Sequence, residues 1–322
     1  MFSSLLKKFV KKVIKYIDLL LIIPLLISFP AFYIFARIGG KRLKFSRKLL
    51  KNLGIYPIRD HYYNPLFKDI NLKKSLREPR YLPGINLSEE KQLNFLENLI
   101  FNNELSNLND KDSDDLSFTL ANGSFESGDA EFLYQVVRFL KPQTIIEIGS
   151  GNSTKIVNKA LKKNNSDNSI ICKHICIEPY EMPWLERLGV DVIRKPLQEC
   201  DLELFACLKK NDLLFIDSSH IIRPQGDVLR EYLEVIPLLK SGVFVHVHDI
   251  FTPRDYLDEW IREDVLFWNE QYLLECLLSN EGRYEIIAAL NFLKHTNFHK
   301  LQKVCPYLKK EREPGSFYFK IR

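Results

Sequence analysis

The 322-residue sequence lacks several features that would place it in a familiar class at once. It has no CxxC pair and no regular cysteine spacing among its six cysteines, which argues against a disulfide framework and favours a reducing compartment. Basic and aromatic residues are nowhere interleaved, and the net charge of +5 is small for this length, so we expect no nucleic-acid partner. Internal repeats and low-complexity tracts are also missing. What remains is an ordinary globular composition, with 46% hydrophobic and 27% charged residues.

Two cysteines invite a second interpretation. Cys172 and Cys176 lie four residues apart in a predicted strand, so their side chains would share one face of that strand. Buried, reduced thiols are the more common explanation of such a pair. A metal site stays open as the alternative.

Charged residues are missing from one long run, LLLIIPLLISFPAFYIFA, residues 19–36. Its length is close to the roughly 17–25 residues of a membrane-spanning helix. A secretory signal peptide is the alternative, but its apolar core is usually about 7–15 residues and no cleavage site follows here. Many basic residues flank the run, which suits anionic lipid head groups: Lys7, Lys8, Lys11, Lys12, Lys15, Arg37, Lys41, Arg42, Lys44, Arg47, Lys48 and Lys51.

Pro24 and Pro30 predict bends in this segment, because each removes a backbone donor. A segment that dips into one leaflet and a single span both stay open, and the basic residues on both sides give no orientation. We therefore expect a membrane-associated protein that contacts the bilayer through residues 1–51. Its catalytic part should lie on the cytoplasmic side. The predicted organisation is an anchor (1–58), a helical and irregular cover (59–124) and a catalytic domain (125–322).

The catalytic domain is predicted from alternating helix-like and strand-like segments. TIIEIG, HICIEP, LLFIDSSH and GVFVHVHD are continuous apolar strands, and amphipathic helices separate them. Such a pattern indicates an α/β protein with a doubly wound, mostly parallel sheet covered on both faces. The last strand, SFYFKIR, is expected to run antiparallel.

The stretch TIIEIGSGNSTKIV places an acid and two glycines between a strand and a helix. Ligands of doubly wound sheets bind at such strand ends, where glycines allow the backbone a close approach. The GxGxxG dinucleotide pattern is incomplete, because Thr154 replaces the third glycine, and no Walker GK[ST] follows. Glu147 would repel a pyrophosphate and attract a ligand that carries cationic groups. The candidate binding residues here are Glu147, Gly149, Ser150, Gly151 and Ser153.

EIGSGNST resembles the first motif of class I S-adenosylmethionine-dependent methyltransferases, and the resemblance extends over roughly residues 125–295. It implies a Rossmann-like, seven-stranded sheet and S-adenosyl-L-methionine as the cofactor. It further implies that Glu178 binds the ribose hydroxyls and that Gln198 contacts the adenine. Asp129 would cap the first helix or contact the methionine end of the cofactor.

Two further strand ends carry groups suited to catalysis. FIDSSH supplies Asp217 and His220, and VFVHVHD supplies His248 and Asp249. Carboxylates and imidazoles from adjacent strand ends can bind a divalent cation. Asp217, His248 and Asp249 are therefore the candidate metal ligands, alongside the alternative that Asp217 only holds the cofactor or caps a loop.

These residues resemble the sites of bacterial, metal-dependent O-methyltransferases of the catechol and macrolide-sugar types. The resemblance implies Mg²⁺ or Mn²⁺ at the ligands, His220 as the general base and Asp217 beside it in catalysis. We thus expect methylation of a hydroxyl on a sugar, glycan or glycolipid. The alternatives are a metal-free enzyme acting on a small molecule or a nitrogen, and a non-catalytic scaffold. A nicotinamide oxidoreductase is disfavoured by Glu147.

Overall fold

The computed structural model describes residues 2–111, 114–279 and 282–322, with side chains from residue 9 onward. Lys7 and Lys8 therefore lie outside the described side chains. The described residues form two compact units that divide between Lys73 and Lys74. The functional boundaries at residues 58 and 124 stay predictions.

The first unit begins with a long helix, α1 (Phe2–Ile38), which continues through Pro24 and Pro30. Helical structure therefore continues through both prolines, each of which removes one backbone donor. Residues Phe9–Ile38 are long and apolar enough to cross a membrane, a criterion that a signal sequence or a core helix also meets. Within the described chain, 6% of the most apolar window is buried.

A short basic helix, α2 (Lys44–Asn52), follows α1 in the first unit. Gly39 ends α1 in the left-handed region, with φ +88°, and donates its N–H to the carbonyl of Phe35 at 2.9 Å. None of the residues of α2 is buried. Phe45 is 92% and Leu49 61% exposed, so this basic helix also presents apolar side chains to its surroundings.

The second unit is built on one seven-stranded sheet with the strand order β3-β2-β1-β4-β5-β7-β6. Strands β1 to β5 pair in parallel and β7 pairs antiparallel with both β5 and β6, which confirms the predicted Rossmann-like, mostly parallel fold. The strands are β1 (Thr144–Ile148), β2 (Lys173–Ile177), β3 (Asp191–Ile193), β4 (Leu213–Ile216), β5 (Phe244–Val247), β6 (Tyr284–Ala289) and β7 (Phe317–Ile321).

Helices cover both faces of the sheet, so alternate residues of each strand enter different cores. Ile145 and Phe215 belong to the core that contains α4, α5 and α11. Ile146 and Leu214 belong to the opposite core. The helices are α3 (Glu89–Leu96), α4 (Asp129–Leu140), α5 (Asn152–Asn168), α6 (Glu203–Ala206), α7 (Asp227–Arg230), α8 (Ile236–Leu238), α9 (Asp258–Arg262), α10 (Glu270–Leu278) and α11 (Leu290–Val304), with a π-helical turn Glu231–Val235 between α7 and α8.

Phe132 on α4 offers a test of this packing, because it is fully buried between the helix and the sheet. We expect Phe132→Ala to lower the free energy of unfolding by about 3–5 kcal/mol, through lost burial and the cavity that remains. Phe139, on the same helix and 38% exposed, is the matched control; Phe139→Ala should cost about 1 kcal/mol. Denaturant unfolding monitored by circular dichroism measures both, and equal losses would contradict the assigned core.

Candidate active site

The turn between β1 and α5 is held against the end of β4 by a glycine. Gly149 has φ +78°, and a Cβ atom at this position would lie 1.9 Å from the carbonyl oxygen of Asp217. Its N–H donates to the carbonyl of Ile177, at the end of β2, at 3.0 Å. Three strand ends therefore meet at one residue that cannot carry a side chain.

A cleft of about 700 Å³ opens at this edge of the sheet. This is the size range of small-molecule sites, about 300–1,000 Å³. Most of the residues predicted from the sequence line it, namely Gly149, Ser150, Gly151, Ser153, Glu178, Gln198, Asp217, His248 and Asp249. Neither Glu147, Asp129 nor His220 is among the described residues of its wall.

Glu178 follows β2, and its carboxylate is held in place by backbone donors. Its Oε1 accepts the N–H groups of Tyr180 at 3.1 Å and Glu181 at 3.0 Å, and its Oε2 accepts that of Ser150 at 3.3 Å. A carboxylate has about four lone-pair positions, so it can still accept hydrogen bonds from a ligand. The geometry suits recognition of two neighbouring hydroxyl groups.

Glu147 lies behind the turn and is fully buried. Its Oε2 accepts a hydrogen bond from Thr154 Oγ1 at 2.5 Å, and Thr154 Oγ1 accepts the N–H of Gly151 at 3.1 Å. The sequence predicts a direct contact between Glu147 and a cationic ligand. In the structure Glu147 is buried and does not line the described cleft wall, so this contact is not formed by the observed geometry. Because the apolar strand carries the acid inward, Glu147 instead supports the turn that forms the cleft wall.

Asp129 is the first residue of α4 and not its cap. Gly128 precedes the helix, and its N–H donates to Glu131 Oε2 at 2.8 Å. Asp129 Oδ1 accepts the backbone N–H of Ser316 at 2.8 Å, and its Oδ2 lies 3.9 Å from His248 Nε2. The expectation of a helix cap was therefore wrong, since the backbone of Ser316, just before β7, binds this carboxylate in the interior, behind His248.

The ends of β4 and β5 bring three candidate metal ligands together. His248 Nδ1 lies 3.4 Å from Asp217 Oδ1 and 3.5 Å from Asp249 Oδ1. Burial would lower the pKa of His248, but Asp249 and Asp217 raise it well above its usual value. Burial likewise opposes ionisation of Asp217, yet His248 and His220 hold the pKa of that carboxyl well below its usual range.

His220 joins this group from the loop after β4. Its Nε2 lies 3.4 Å from Asp217 Oδ1 and 3.6 Å from Asp249 Oδ2. Burial lowers the pKa of His220, but hydrogen bonds to Asp217 and Glu270 outweigh this effect and raise it well above the usual value. The surrounding carboxylates thus make His220 a stronger base than a free imidazole and stabilise a positive charge on its ring. His220 has φ +58°, a conformation that the surrounding packing must hold.

Glu270, which sequence analysis did not single out, orients His220. Its Oε2 lies 2.8 Å from His220 Nδ1, and its Oε1 accepts a hydrogen bond from Tyr232 OH at 2.9 Å. The side chain is fully buried at the start of α10, fifty positions along the chain from His220. No local pattern marks Glu270, because only the packing of α10 brings it to the imidazole.

Aromatic rings cover the same region. The Trp268 ring lies 4.2 Å from the His220 ring and 4.9 Å from the Trp260 ring, measured between centroids. Trp260 also lines the cleft. These rings exclude water from one side of His220 and offer an apolar surface to a bound acceptor.

Comparison with known proteins agrees with this arrangement. Residues 146–250, from β1 to just beyond β5, match the family model described as a methyltransferase domain. A protein of Archaeoglobus fulgidus with no described function is 29% identical over 164 residues, which cover 47% of this chain and 73% of that protein.

Among solved structures, an O-methyltransferase from Bacillus cereus in complex with SAH is 15% identical, with a TM-score of 0.35, over 71% of this chain and 90% of that chain. The O-methyltransferase TomG from Streptomyces achromogenes, in complex with SAM, is 13% identical, with a TM-score of 0.36, over 74% of this chain and 91% of that chain. Likenesses at this level do not bear on the substrate of the present chain.

The family match covers the strands that build the cleft. The glycine turn lies within the matched residues and forms part of the cleft wall. The chain carries a methyltransferase domain at residues 146–250. It is accordingly an enzyme that transfers a methyl group.

The close approach at Gly149 can be tested with a matched glycine. Gly189 has a similar φ, +75°, but a Cβ there meets nothing within 4 Å. Gly189→Ala should cost about 1–2 kcal/mol of stability for the left-handed conformation alone. Gly149→Ala adds a steric conflict and should cost about 3 kcal/mol or more. Urea unfolding measures the difference, and equal costs would show that Gly149 does not form this contact.

Proposed function

We propose that this enzyme methylates a hydroxyl oxygen of a sugar, in a glycan or glycolipid acceptor, at the membrane surface. The observation that carries the proposal is the convergence of His220, Asp217 and Asp249 beside the glycine turn. An imidazole next to two carboxylates can take the proton of a hydroxyl acceptor. We assign catalysis to residues 125–322, cover of the site to residues 59–124 and membrane attachment to residues 1–58.

The cofactor side of the cleft fits S-adenosyl-L-methionine. Bound there, the cofactor supplies an activated methyl group on a sulfonium. Gly149, Ser150 and Gly151 present the backbone of the turn to it, and Ser153 lines the wall at the start of α5. Glu178 would accept hydrogen bonds from the ribose hydroxyls, and Gln198 would contact the adenine. Glu147 and Asp129 support this wall from the interior.

A divalent cation also fits the site. Asp217, His248 and Asp249 each offer one donor atom, and these atoms lie within 4.8 Å of one another. His248 Nδ1 is buried and has no hydrogen-bond partner, although two carboxylates face it. When bound, Mg²⁺ or Mn²⁺ would lower the pKa of an acceptor hydroxyl and offset the charge of the carboxylates. The oxygen and nitrogen donors suit either ion.

Proton transfer is assigned to His220, with Glu270 as its positioning residue. Glu270 bonds Nδ1 and so directs Nε2 toward Asp217 and the cleft. This is the arrangement in which a buried carboxylate fixes the orientation of a catalytic imidazole. When His220 accepts the proton it becomes an imidazolium, and the carboxylate of Asp217 stabilises that positive charge.

Membrane attachment is assigned to α1 and the basic residues around it. Phe9–Ile38 is long and apolar enough to cross a bilayer. Lys44, Arg47, Lys48 and Lys51 on α2 suit anionic head groups, each at roughly 1 kcal/mol near such a surface. Attachment at the cytoplasmic face would keep the active site near lipid-linked acceptors and near the cofactor pool.

The proposed reaction is tested with labelled cofactor. Full-length enzyme, in detergent or vesicles, should transfer the labelled methyl group to glycolipids or polysaccharides extracted from membranes. A chelator should abolish the transfer, and Mg²⁺ or Mn²⁺ should restore it. Turnover that is unchanged by the chelator would favour the metal-free alternative. If calorimetry shows that the chain binds neither S-adenosylmethionine nor S-adenosylhomocysteine, the chain is a scaffold.

Asp249 provides the variant for this test. Asp249→Asn should lower turnover by about 100-fold or more, because a cation at the reacting oxygen contributes several kcal/mol. Asp258→Asn, at the start of α9 with a side chain that is 45% exposed, is the control and should keep normal turnover. Cofactor binding by calorimetry should be similar in both variants. Full activity of Asp249→Asn would show that Asp249 is not a ligand of a catalytic metal.

Glu270→Gln tests the positioning role. It removes the negative charge at His220 Nδ1 and should lower kcat by about 10–100-fold, part of the ~10²–10⁴ that a general base supplies. KM for the cofactor should stay unchanged, because Glu270 does not line the described cleft wall. Glu234→Gln, at a surface pair with Arg230, is the matched control. If Glu270→Gln lowers both kcat and stability and also changes KM for the cofactor, Glu270 has only a structural role.

A further inference from the structure

A second group of potential metal ligands lies beneath the glycine turn, outside the described cleft wall. Glu147 on β1 pairs in register with Cys176 on β2. His174 lies two residues before Cys176 and so points to the same face of the sheet. Glu147 and Cys176 are fully buried and His174 is 6% exposed, so these three side chains face one another in the interior.

The distances within this group match those of a tetrahedral zinc centre. His174 Nε2 lies 3.2 Å from Glu147 Oε1. Cys176 Sγ lies 3.7 Å from His174 Nε2 and 3.8 Å from Glu147 Oε2. With zinc bonds of about 2.0–2.1 Å to nitrogen and oxygen and about 2.3 Å to sulfur, tetrahedral ligand atoms are about 3.3–3.6 Å apart. The two Glu147 distances involve different oxygens, so a carboxylate that binds the ion through one oxygen must turn toward the other ligand.

Hydrogen bonds within the group do not satisfy all of its buried polar atoms. Thr154 satisfies Glu147 Oε2, but Glu147 Oε1 is buried without a hydrogen-bond partner. A buried carboxylate requires a compensating partner, because desolvation of a charge is costly. An ion pair with His174 would account for two members of the group. It would not account for a thiol placed in contact with both.

We propose that Glu147, His174 and Cys176 bind a zinc ion beneath the turn. Thiolate, imidazole and carboxylate form a donor set that zinc accepts and that magnesium does not favour. Ser150 lies in the turn above these ligands and lines the cleft, and its buried hydroxyl has no hydrogen-bond partner. This hydroxyl is the candidate for a fourth ligand.

The ion would stabilise the cleft wall, not act in catalysis. Glu147 bonds Thr154, and Thr154 accepts the N–H of Gly151. A cation that fixes Glu147 therefore also fixes the turn. This zinc site is distinct from the candidate metal site at Asp217, His248 and Asp249. The inference holds whether or not Asp217, His248 and Asp249 bind a metal.

Cobalt(II) reports directly on the thiolate, because sulfur bound to cobalt gives a charge-transfer absorption in the near ultraviolet. The experiment uses metal-free, full-length protein carrying Cys172→Ser, Cys207→Ser and Cys276→Ser, which removes the three cysteines that are not buried. Titration with Co²⁺ should produce the absorption with saturating stoichiometry, and Zn²⁺ should abolish it. At free Zn²⁺ about 100 times Kd, Tm should rise by about 5–10 °C. Absence of the absorption in this protein would overturn the proposal without any further variant.

Three variants in the same background locate the site. Cys176→Ser should lose the absorption, and His174→Gln should weaken Co²⁺ binding by about 10–100-fold or more. Cys200→Ser removes another buried thiol and should keep the absorption. Asp249→Asn should keep it too, which separates this site from the proposed catalytic one. An absorption that survives Cys176→Ser, or that disappears with Asp249→Asn, would place the bound ion elsewhere.

Discussion

The contact between the β1 turn and the end of β4 is the constraint on which the active site depends. Gly149 lies so close to the carbonyl of Asp217 that no side chain fits between them. Because of this contact, the residues that would hold the cofactor and the residues that would act on the acceptor face one cleft. Methyl transfer gains most from such proximity, since positioning two reactants can contribute about 7–11 kcal/mol in favourable cases.

Charge is concentrated on one side of this cleft and compensated within it. Asp217 and Asp249 face the imidazoles of His220 and His248, and Glu270 holds His220 from behind. Few of these groups are exposed, so their interactions are weakly screened by solvent. The same closeness that gives the site its chemistry makes each member dependent on its neighbours.

The wall opposite these residues is supported from the interior. Glu147 reaches the turn through Thr154, so a residue that sequence motifs associate with the ligand acts here through the backbone. Glu178 lines the cleft instead, and three backbone N–H groups hold its carboxylate in place. An acid at a strand end can thus take either position, depending on which face of the sheet its side chain enters.

By itself the sequence determined the alternation of strands and helices, the glycine turn and the placement of Asp217, His220, His248 and Asp249 at strand ends. These are local properties, because hydrophobic period and strand ends follow from neighbouring residues. The tertiary structure decided the rest. It buried Glu147, placed Asp129 in the interior behind His248, continued α1 through its prolines, and brought Glu270 to His220 across fifty positions of the chain. Those outcomes depend on which elements pack together, and no local pattern records the contacts between segments that are distant in the chain.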